Sequence, residues 1–281
     1  MEKSMQGKTV VVTGATSGIG EVAAIRLSEQ GARIVMIARS EARAGATLGK
    51  LAGSGHAVHF ADLSRLREMK RVAGDIAAAE PKIDVLMNNA GALFNARQVT
   101  EDGLELTFAT NHMSYFVVTN LLLDRLKSTP GARIVSTSSA AHKRAKLDFD
   151  DLQAERDYSG FRVYGKSKLA NILFTRELAR RLEGSGVTAN CLHPGFVATR
   201  FGEGNGGVAR VALQVAQRVF AISSEDGAKT MTHLASSPEL TAVSGRYFYK
   251  CKEAAPSAEA QDDVAAERLW AVSAALSGVG I

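Results

Sequence analysis

The sequence predicts an α/β fold, a single doubly wound domain whose seven-stranded, mainly parallel sheet carries helices on both faces. Three observations carry this expectation. Short runs rich in β-branched residues alternate with helical stretches through most of the chain, the pattern that βαβ units leave in a sequence. The strand-like runs are almost continuously apolar, as strands buried on both faces are. The 281 residues, 46% hydrophobic and 22% charged, suffice for one large core, and no repeat, low-complexity tract or linker divides them.

In chain order, strands are expected near Thr9 to Thr13, Ala32 to Ala38, Ala57 to Ala61, Ile83 to Asn88, Ala132 to Ser138, Thr188 to Leu192 and Gly245 to Tyr249. Helices are expected over Gly18 to Gln30, Glu41 to Ala52, Ser64 to Glu80, Leu104 to Lys127, Gly160 to Leu182, Ser224 to Ser236 and Ser257 to Gly278. Ser257 is placed as the N-cap of the last, with Asp262 and Asp263 near its start, where the helix dipole favours negative charge. The stretch Phe201 to Gly207 holds four glycines in seven residues and reads as a mobile loop. It lies within an apolar region at about 196–225, read as a lid over a hydrophobic substrate; a packed surface helix or subunit contact gives the same pattern.

Composition excludes several function classes. The 34 Lys and Arg against 29 Asp and Glu leave +5, but the charges are interspersed. The densest basic run, His142 to Lys146, lacks aromatics and reads as a solvated loop, so no nucleic-acid partner is expected. Cys191 and Cys251 fall in no metal-ligand spacing and the six histidines form no HExxH cluster, so no metal is expected and a reducing, cytoplasmic setting is. There is no signal-peptide pattern, and the longest apolar runs fall far short of the roughly 20 residues a bilayer span needs, so no membrane span is expected.

Thr13 to Gly20 read TGATSGIG, directly after the first strand and opening the first helix. Glycines there let the backbone approach a pyrophosphate, whose charge is met by free N–H groups and the helix dipole. The spacing departs from GxGxxG, and a plain strand-to-helix turn would also use glycines; the strand–turn–helix context favours a dinucleotide cofactor. At the end of the second strand, where an acidic residue would bind a ribose 2′-hydroxyl, stands Arg39, which suits a 2′-phosphate and hence NADP(H) over NAD(H). The other reading is a solvated arginine paired with Glu41. Asp62 has the chemistry to accept from an adenine amino group, and equally to cap the next helix alongside Ser64.

Tyr164 and Lys168 are four residues apart in YGKSK within a helical pattern, so both leave one face. An ammonium near a phenol lowers its pKa from about 10 toward a value useful for proton exchange. The preceding strand ends Ser136-Thr137-Ser138-Ser139, where a hydroxyl could hold a substrate carbonyl, although serines also simply favour turns. Asn88-Asn89-Ala90-Gly91 ends another strand at the same edge. Asn111 lies inside a helical stretch, unfavourable by propensity, and should have a polar partner or a task.

TGATSGIG, NNAG, Asn111, Ser138-Ser139, YGKSK and His193-Pro194-Gly195, in this order, resemble the short-chain dehydrogenase/reductase family over essentially the whole chain. Segments such as YGKSKLANILFTRELARRLEGSGVTANCLHPG, SGRYFYKCK and AAERLWAVS resemble its retinol dehydrogenase branch. The resemblance implies a Rossmann fold with Tyr164 as general acid/base, Lys168 as pKa-lowering group and ribose ligand, Ser139 holding the substrate oxygen, and Asn111 holding a relay water. It implies that Gly14, Thr16, Ser17, Gly18, Ile19 and Gly20 face the phosphates and Arg39 the 2′-phosphate. Asp62 and Leu63 would face the adenine, Asn89, Ala90 and Gly91 the adenosine side, and Pro194, Gly195, Val197 and Thr199 the nicotinamide. Ser139 and Tyr164 are 25 residues apart, and the insertion between them, including Lys146 to Leu152, is implied to lie beside the substrate mouth. His142, three residues after Ser139, is read as an exposed loop residue at that mouth. Pairing through the helices of Asn111 and Tyr164 would make a homodimer or homotetramer. The expected function is NADP(H)-dependent interconversion of a hydrophobic aldehyde or ketone and its alcohol; the alternative is a catalytically idle NADP-binding regulatory or scaffold protein on the same fold.

Overall fold

The computed structural model describes residues 4–195 and 223–280. β1 (Thr9–Thr13) turns into α1 (Gly18–Glu29), followed by β2 (Arg33–Ala38), α2 (Glu41–Leu48), β3 (Ala57–Phe60), α3 (Leu66–Ala79) and β4 (Val85–Asn88). After a loop, α4 (Leu106–Phe108) passes through a wide π-helical turn at Ala109–Met113 into α5 (Ser114–Leu121) and α6 (Leu123–Lys127). β5 (Arg133–Thr137) leads through a 3-10 turn at Ala140–Arg144 to α7 (Gly160–Arg181) and β6 (Thr188–Leu192). The chain ends with α8 (Ser224–Ser236), β7 (Tyr247–Tyr249), β8 (Lys252–Glu253) and α9 (Asp263–Ser277).

Among the described residues the strands form one sheet in the order β3-β2-β1-β4-β5-β6-β7-β8, parallel except for the β7–β8 hairpin. The order reverses between β1 and β4, where Val10, Val11 and Val12 lie opposite Val85, Leu86 and Met87. The carboxyl ends of strands open a crevice at such a reversal. Side chains alternate across the sheet: Val11, Val35, Leu86 and Ile134 pack with α3, α5, α7 and α9, whereas Val10, Val12, Met36 and Met87 pack with α1 and α8. Both faces are therefore core, and each buried aliphatic side chain stabilises by about 1.5–3 kcal/mol.

Several elements differ from expectation. β8 is an eighth strand, paired through Tyr249 and Lys252 across a turn in which Lys250 and Cys251 take φ of 49° and 61°. Asn-Gly usually marks such a turn, so its chemistry was hidden. The helix expected as one piece from Leu104 to Lys127 is broken at the π turn and again at Leu122. The last helix starts at Asp263, because the Asp262 carboxylate accepts the Ala265 N–H at 2.9 Å, while the Ser257 N–H is taken by His142 Nε2 at 3.2 Å. The loop at Phe201 to Gly207 and nearly all of the lid expected at about 196–225 lie outside the described residues.

α9 lies across α5 and α7. The Trp270 indole stacks on Phe174 at 5.9 Å and meets Phe116 edge-on at 4.9 Å, the Arg181 guanidinium stands 4.4 Å from the indole ring, and Ser273 hydrogen-bonds His112 at 2.8 Å. These contacts hold α9 against the two helices through which subunits were expected to pair.

Candidate active site

The end of β1 is stitched to the end of β4. Thr13 Oγ1 accepts the N–H groups of Asn89 and Ala90 at 2.9 and 3.0 Å, and Asn89 Nδ2 donates back to the Thr13 and Gly14 carbonyls at 3.2 and 3.1 Å. Gly14 takes φ of +70°, and a Cβ there would stand 2.9 Å from Ala90 Cα. One on Gly20 would stand 2.3 Å from the Gly14 carbonyl oxygen. Only glycine permits this close turn. The first helical bond of α1 runs from Glu21 N–H to Ser17 O at 3.4 Å, leaving the N–H groups of Gly18, Ile19 and Gly20 facing outward, with an uncommitted Ser17 hydroxyl and Thr16 beside them. Free N–H groups at such a helix start can meet an anion, and a pyrophosphate fits this turn.

At the next strand ends, two adjacent serines have different tasks. Ser138 Oγ donates to the Lys168 carbonyl oxygen at 2.7 Å, while the Ser139 hydroxyl accepts the Ala141 N–H at 3.2 Å and lies close enough to the Tyr164 phenol to act on its ionisation. Lys168 is buried; its ammonium donates to the Thr137 carbonyl at 3.2 Å and packs against the Tyr164 ring, 5.6 Å from the centroid. Asn111, in the π turn, is fully buried and accepts the Ala92 N–H at 2.8 Å, donating to the Ala92 carbonyl at 2.8 Å and to Ser167 at 3.0 Å. Its polar partners offset its poor helix propensity and tie the loop after β4 to α7. Gly91, in that loop, lies beside Lys168 Nζ and Asn111 Oδ1.

Burial sets the electrostatics. Desolvation pushes the Tyr164 phenol up to about 12, opposed by the nearby Ser139 hydroxyl, and pushes the Lys168 ammonium down to about 7. The expected lowering of the tyrosine pKa is therefore outweighed here by loss of water around the phenol.

Arg39 is exposed at the end of β2 and makes no ion pair with Glu41. Arg43, four residues on in α2, is also exposed, a second cation that the sequence reading passed over because it reads as ordinary helix decoration. Asp62 accepts from the Ser64 N–H and hydroxyl at 3.1 and 2.8 Å and so closes a turn before α3 rather than capping that helix, whose Leu66 N–H is accepted by Asp102 at 2.8 Å; Leu63 is buried. Pro194 and Gly195 follow β6, where Gly195 N–H donates to His193 Nδ1 at 3.2 Å; Val197 and Thr199 lie outside the described residues.

One expectation is corrected. His142 is fully buried rather than an exposed loop residue, because both ring nitrogens have backbone partners, Ser139 O and Ser257 N–H. The first half of the insertion packs on the core: Leu147 and Phe149 are partly buried beside Leu169 and Leu173, and the Arg268 guanidinium of α9 covers the Phe149 ring at 4.5 Å. Its later part reaches the loop after β4, where Tyr158 donates to the Phe94 carbonyl at 2.8 Å. Among the described residues, no helix is long and apolar enough to cross a membrane, and no three His, Cys, Asp or Glu side chains gather as a metal site.

Comparison with known proteins places this geometry. The family model for short chain dehydrogenase matches residues 8–206. Retinol dehydrogenase 14 of Mus musculus is 42% identical over 291 residues, covering 98% of this chain and 87% of that protein. Retinol dehydrogenase 13 of Homo sapiens is 41% identical over 285 residues, covering 98% and 86%. Among solved structures, an uncharacterized protein from Mycobacterium Paratuberculosis superposes with a TM-score of 0.78 at 32% identity, over 98% of this chain and 94% of that one. A short chain dehydrogenase from Burkholderia cenocepacia, solved in complex with NADP, gives 0.68 at 27% identity, over 87% and 96%. With its glycine turn, doubly wound sheet and retinol dehydrogenase relatives, the chain belongs to the short chain dehydrogenase family.

Proposed function

We propose that this protein is an NADP(H)-dependent oxidoreductase interconverting a hydrophobic aldehyde or ketone and its alcohol, with Ser139, Tyr164 and Lys168 at the reacting end. The observation that carries the reading is the buried Lys168 ammonium 5.6 Å from the centre of the Tyr164 ring, with the Ser139 hydroxyl placed where it acts on the same phenol. Two hydroxyls meeting at the carboxyl end of a strand can both hold one substrate oxygen.

The residues fit the cofactor. Gly14, Thr16, Ser17, Gly18, Ile19 and Gly20 would hold the pyrophosphate, and Arg39, helped by Arg43, the 2′-phosphate. Leu63, Asp62 once it gives up Ser64, and Asn89 to Gly91 would border the adenosine; Pro194, Gly195, Val197 and Thr199 the nicotinamide. When bound, the nicotinamide supplies or accepts the hydride. Tyr164 donates its proton to the substrate oxygen during reduction and takes it back during oxidation, while Ser139 holds that oxygen in place. The Lys168 charge favours the phenolate and so works against the burial that raises the phenol pKa. Asn111 positions the loop after β4 and, on the family pattern, a relay water.

The substrate class rests on the two retinol dehydrogenase relatives. Self-association as a homodimer or homotetramer through the helices of Asn111 and Tyr164 stays part of the reading, and α9, packed on both, would lie at or beside that contact.

The test is NADPH absorbance, beside NADH, against retinal, long-chain and aromatic aldehydes, cyclic ketones, quinones and steroids. Turnover with NADPH that falls by at least about a hundredfold in Tyr164→Phe supports the reading. NADPH binding without turnover of any panel member would make the protein a cofactor-binding module instead.

A further inference from the structure

Lys168 has a second aromatic neighbour that the proposed chemistry does not use. Tyr115, on α5, is fully buried, and the Lys168 ammonium stands 5.7 Å from the centroid of its ring, nearly the same distance as from the Tyr164 ring. Tyr115 follows Asn111 by four residues, and the π turn between them brings both toward α7: Asn111 to Ser167, Tyr115 to Lys168. Its hydroxyl faces Thr137 without closing a well-formed hydrogen bond. A buried phenol whose hydroxyl is so poorly paired is not held there for that hydroxyl; the ring is what touches something charged.

The ammonium otherwise has one hydrogen-bond acceptor, the Thr137 carbonyl, which it shares with Asn171 Nδ2. The remaining groups around it are Asn111, Tyr164 and Tyr115, and among the described residues no carboxylate or second cation acts on it. A buried ammonium with so few partners tends to lose its proton. An aromatic face within about 6 Å stabilises the charged form, most strongly where water is excluded.

We infer that Tyr115 is a positioning residue whose ring, acting opposite Tyr164, holds the Lys168 side chain in place and keeps it charged at neutral pH. The inference rests on the roles proposed for Tyr164 and Lys168. It assigns the function to the ring rather than to the hydroxyl.

The test compares Tyr115→Phe with Tyr115→Leu, both checked for native circular dichroism and for NADPH affinity within about twofold of the parent. In alcohol oxidation, the proposed roles make kcat/KM expected to fall on the alkaline side as Lys168 loses its proton. Tyr115→Leu is expected to move that limb down by about one pH unit, and Tyr115→Phe to leave it in place. An ultraviolet difference titration of tyrosinate, taken against Tyr164→Phe, reads the same coupling without turnover: Tyr164 should ionise at higher pH in Tyr115→Leu only. An unmoved limb and titration in Tyr115→Leu, or equal shifts in both variants, would overturn the inference. If the parent turned over no alcohol, the proposed activity would fail while the titration still decided the role of Tyr115.

Discussion

The imidazole of His142 stands 2.7 Å from the carbonyl oxygen of Ser139 by its Nδ1, and on its other side Nε2 accepts the Ser257 N–H at 3.2 Å. A carbonyl needs a donor and an N–H needs an acceptor, so this ring is neutral and in one tautomer. The proposed substrate-holding serine is thereby tied to the segment leading into α9. His112, next to Asn111, makes the matching link through Ser273. Two buried histidines thus join the C-terminal segment to both sides of the candidate site.

These links should fail in acid. Burial lowers His142 below its ordinary range, and lowers His112 and His193 from 6.5 to about 4. A histidine with a lowered folded pKa contributes stability that is present above about 6.5 and is lost as pH falls toward about 4, because the unfolded chain binds the proton first. For His112, fully buried, the loss is roughly 2 kcal/mol by about pH 5. Urea unfolding across this range should show it, with a shallower slope in His112→Asn; an unchanged slope would remove His112 from the account.

Gly165 lets α7 approach the turn after Ser139. A Cβ there would stand 3.0 Å from the Ala141 carbonyl oxygen and 3.6 Å from Ala145 Cβ. Gly165→Ala gains helix propensity of up to about 1 kcal/mol, yet moves Tyr164 away from Ser139 by a few tenths of an ångström. The expected outcome is a melting temperature that does not fall, with kcat down about tenfold and NADPH affinity within about twofold. A parallel loss of stability and activity would mean simple disruption.

The proposed NADP(H) preference rests on Arg39, exposed at the end of β2, with Arg43 as a second exposed cation in α2. Arg39→Asp should lower the NADPH to NADH ratio of kcat/KM by at least about tenfold, since a charge-assisted bond is replaced by repulsion. Arg43→Ala should lower it less. An unchanged ratio in Arg39→Asp would move the specificity elsewhere.

Trp270 is the single tryptophan and reports on the face that α9 covers. Its emission should stay unchanged on dilution, because Phe174, Phe116, Arg181 and the Gly280 carbonyl hold it within one chain. Trp270→Ala should cost about 3–5 kcal/mol in urea unfolding. A red shift on dilution would show that subunits meet on this face after all.

What the sequence alone determined was local. Apolar runs such as Thr9 to Thr13 identify buried parallel strands, TGATSGIG identifies the turn that opens α1, and four-residue spacing places Tyr164 and Lys168 on one face of α7. Each of these depends on neighbours a few residues away, so each is written in consecutive letters. Tertiary structure decided the rest: which of Ser138 and Ser139 meets Tyr164, that His142 is buried, that Asp62 turns to Ser64, that Tyr115 lies against Lys168, and that α9 covers α5 and α7. Most of these pair residues far apart in the chain. Asp62 and Ser64 are close, but their two possible roles are equal until packing chooses one. The π turn at Ala109–Met113 is the clearest case, since only the partners of Asn111 on Ala92 and Ser167 offset its cost.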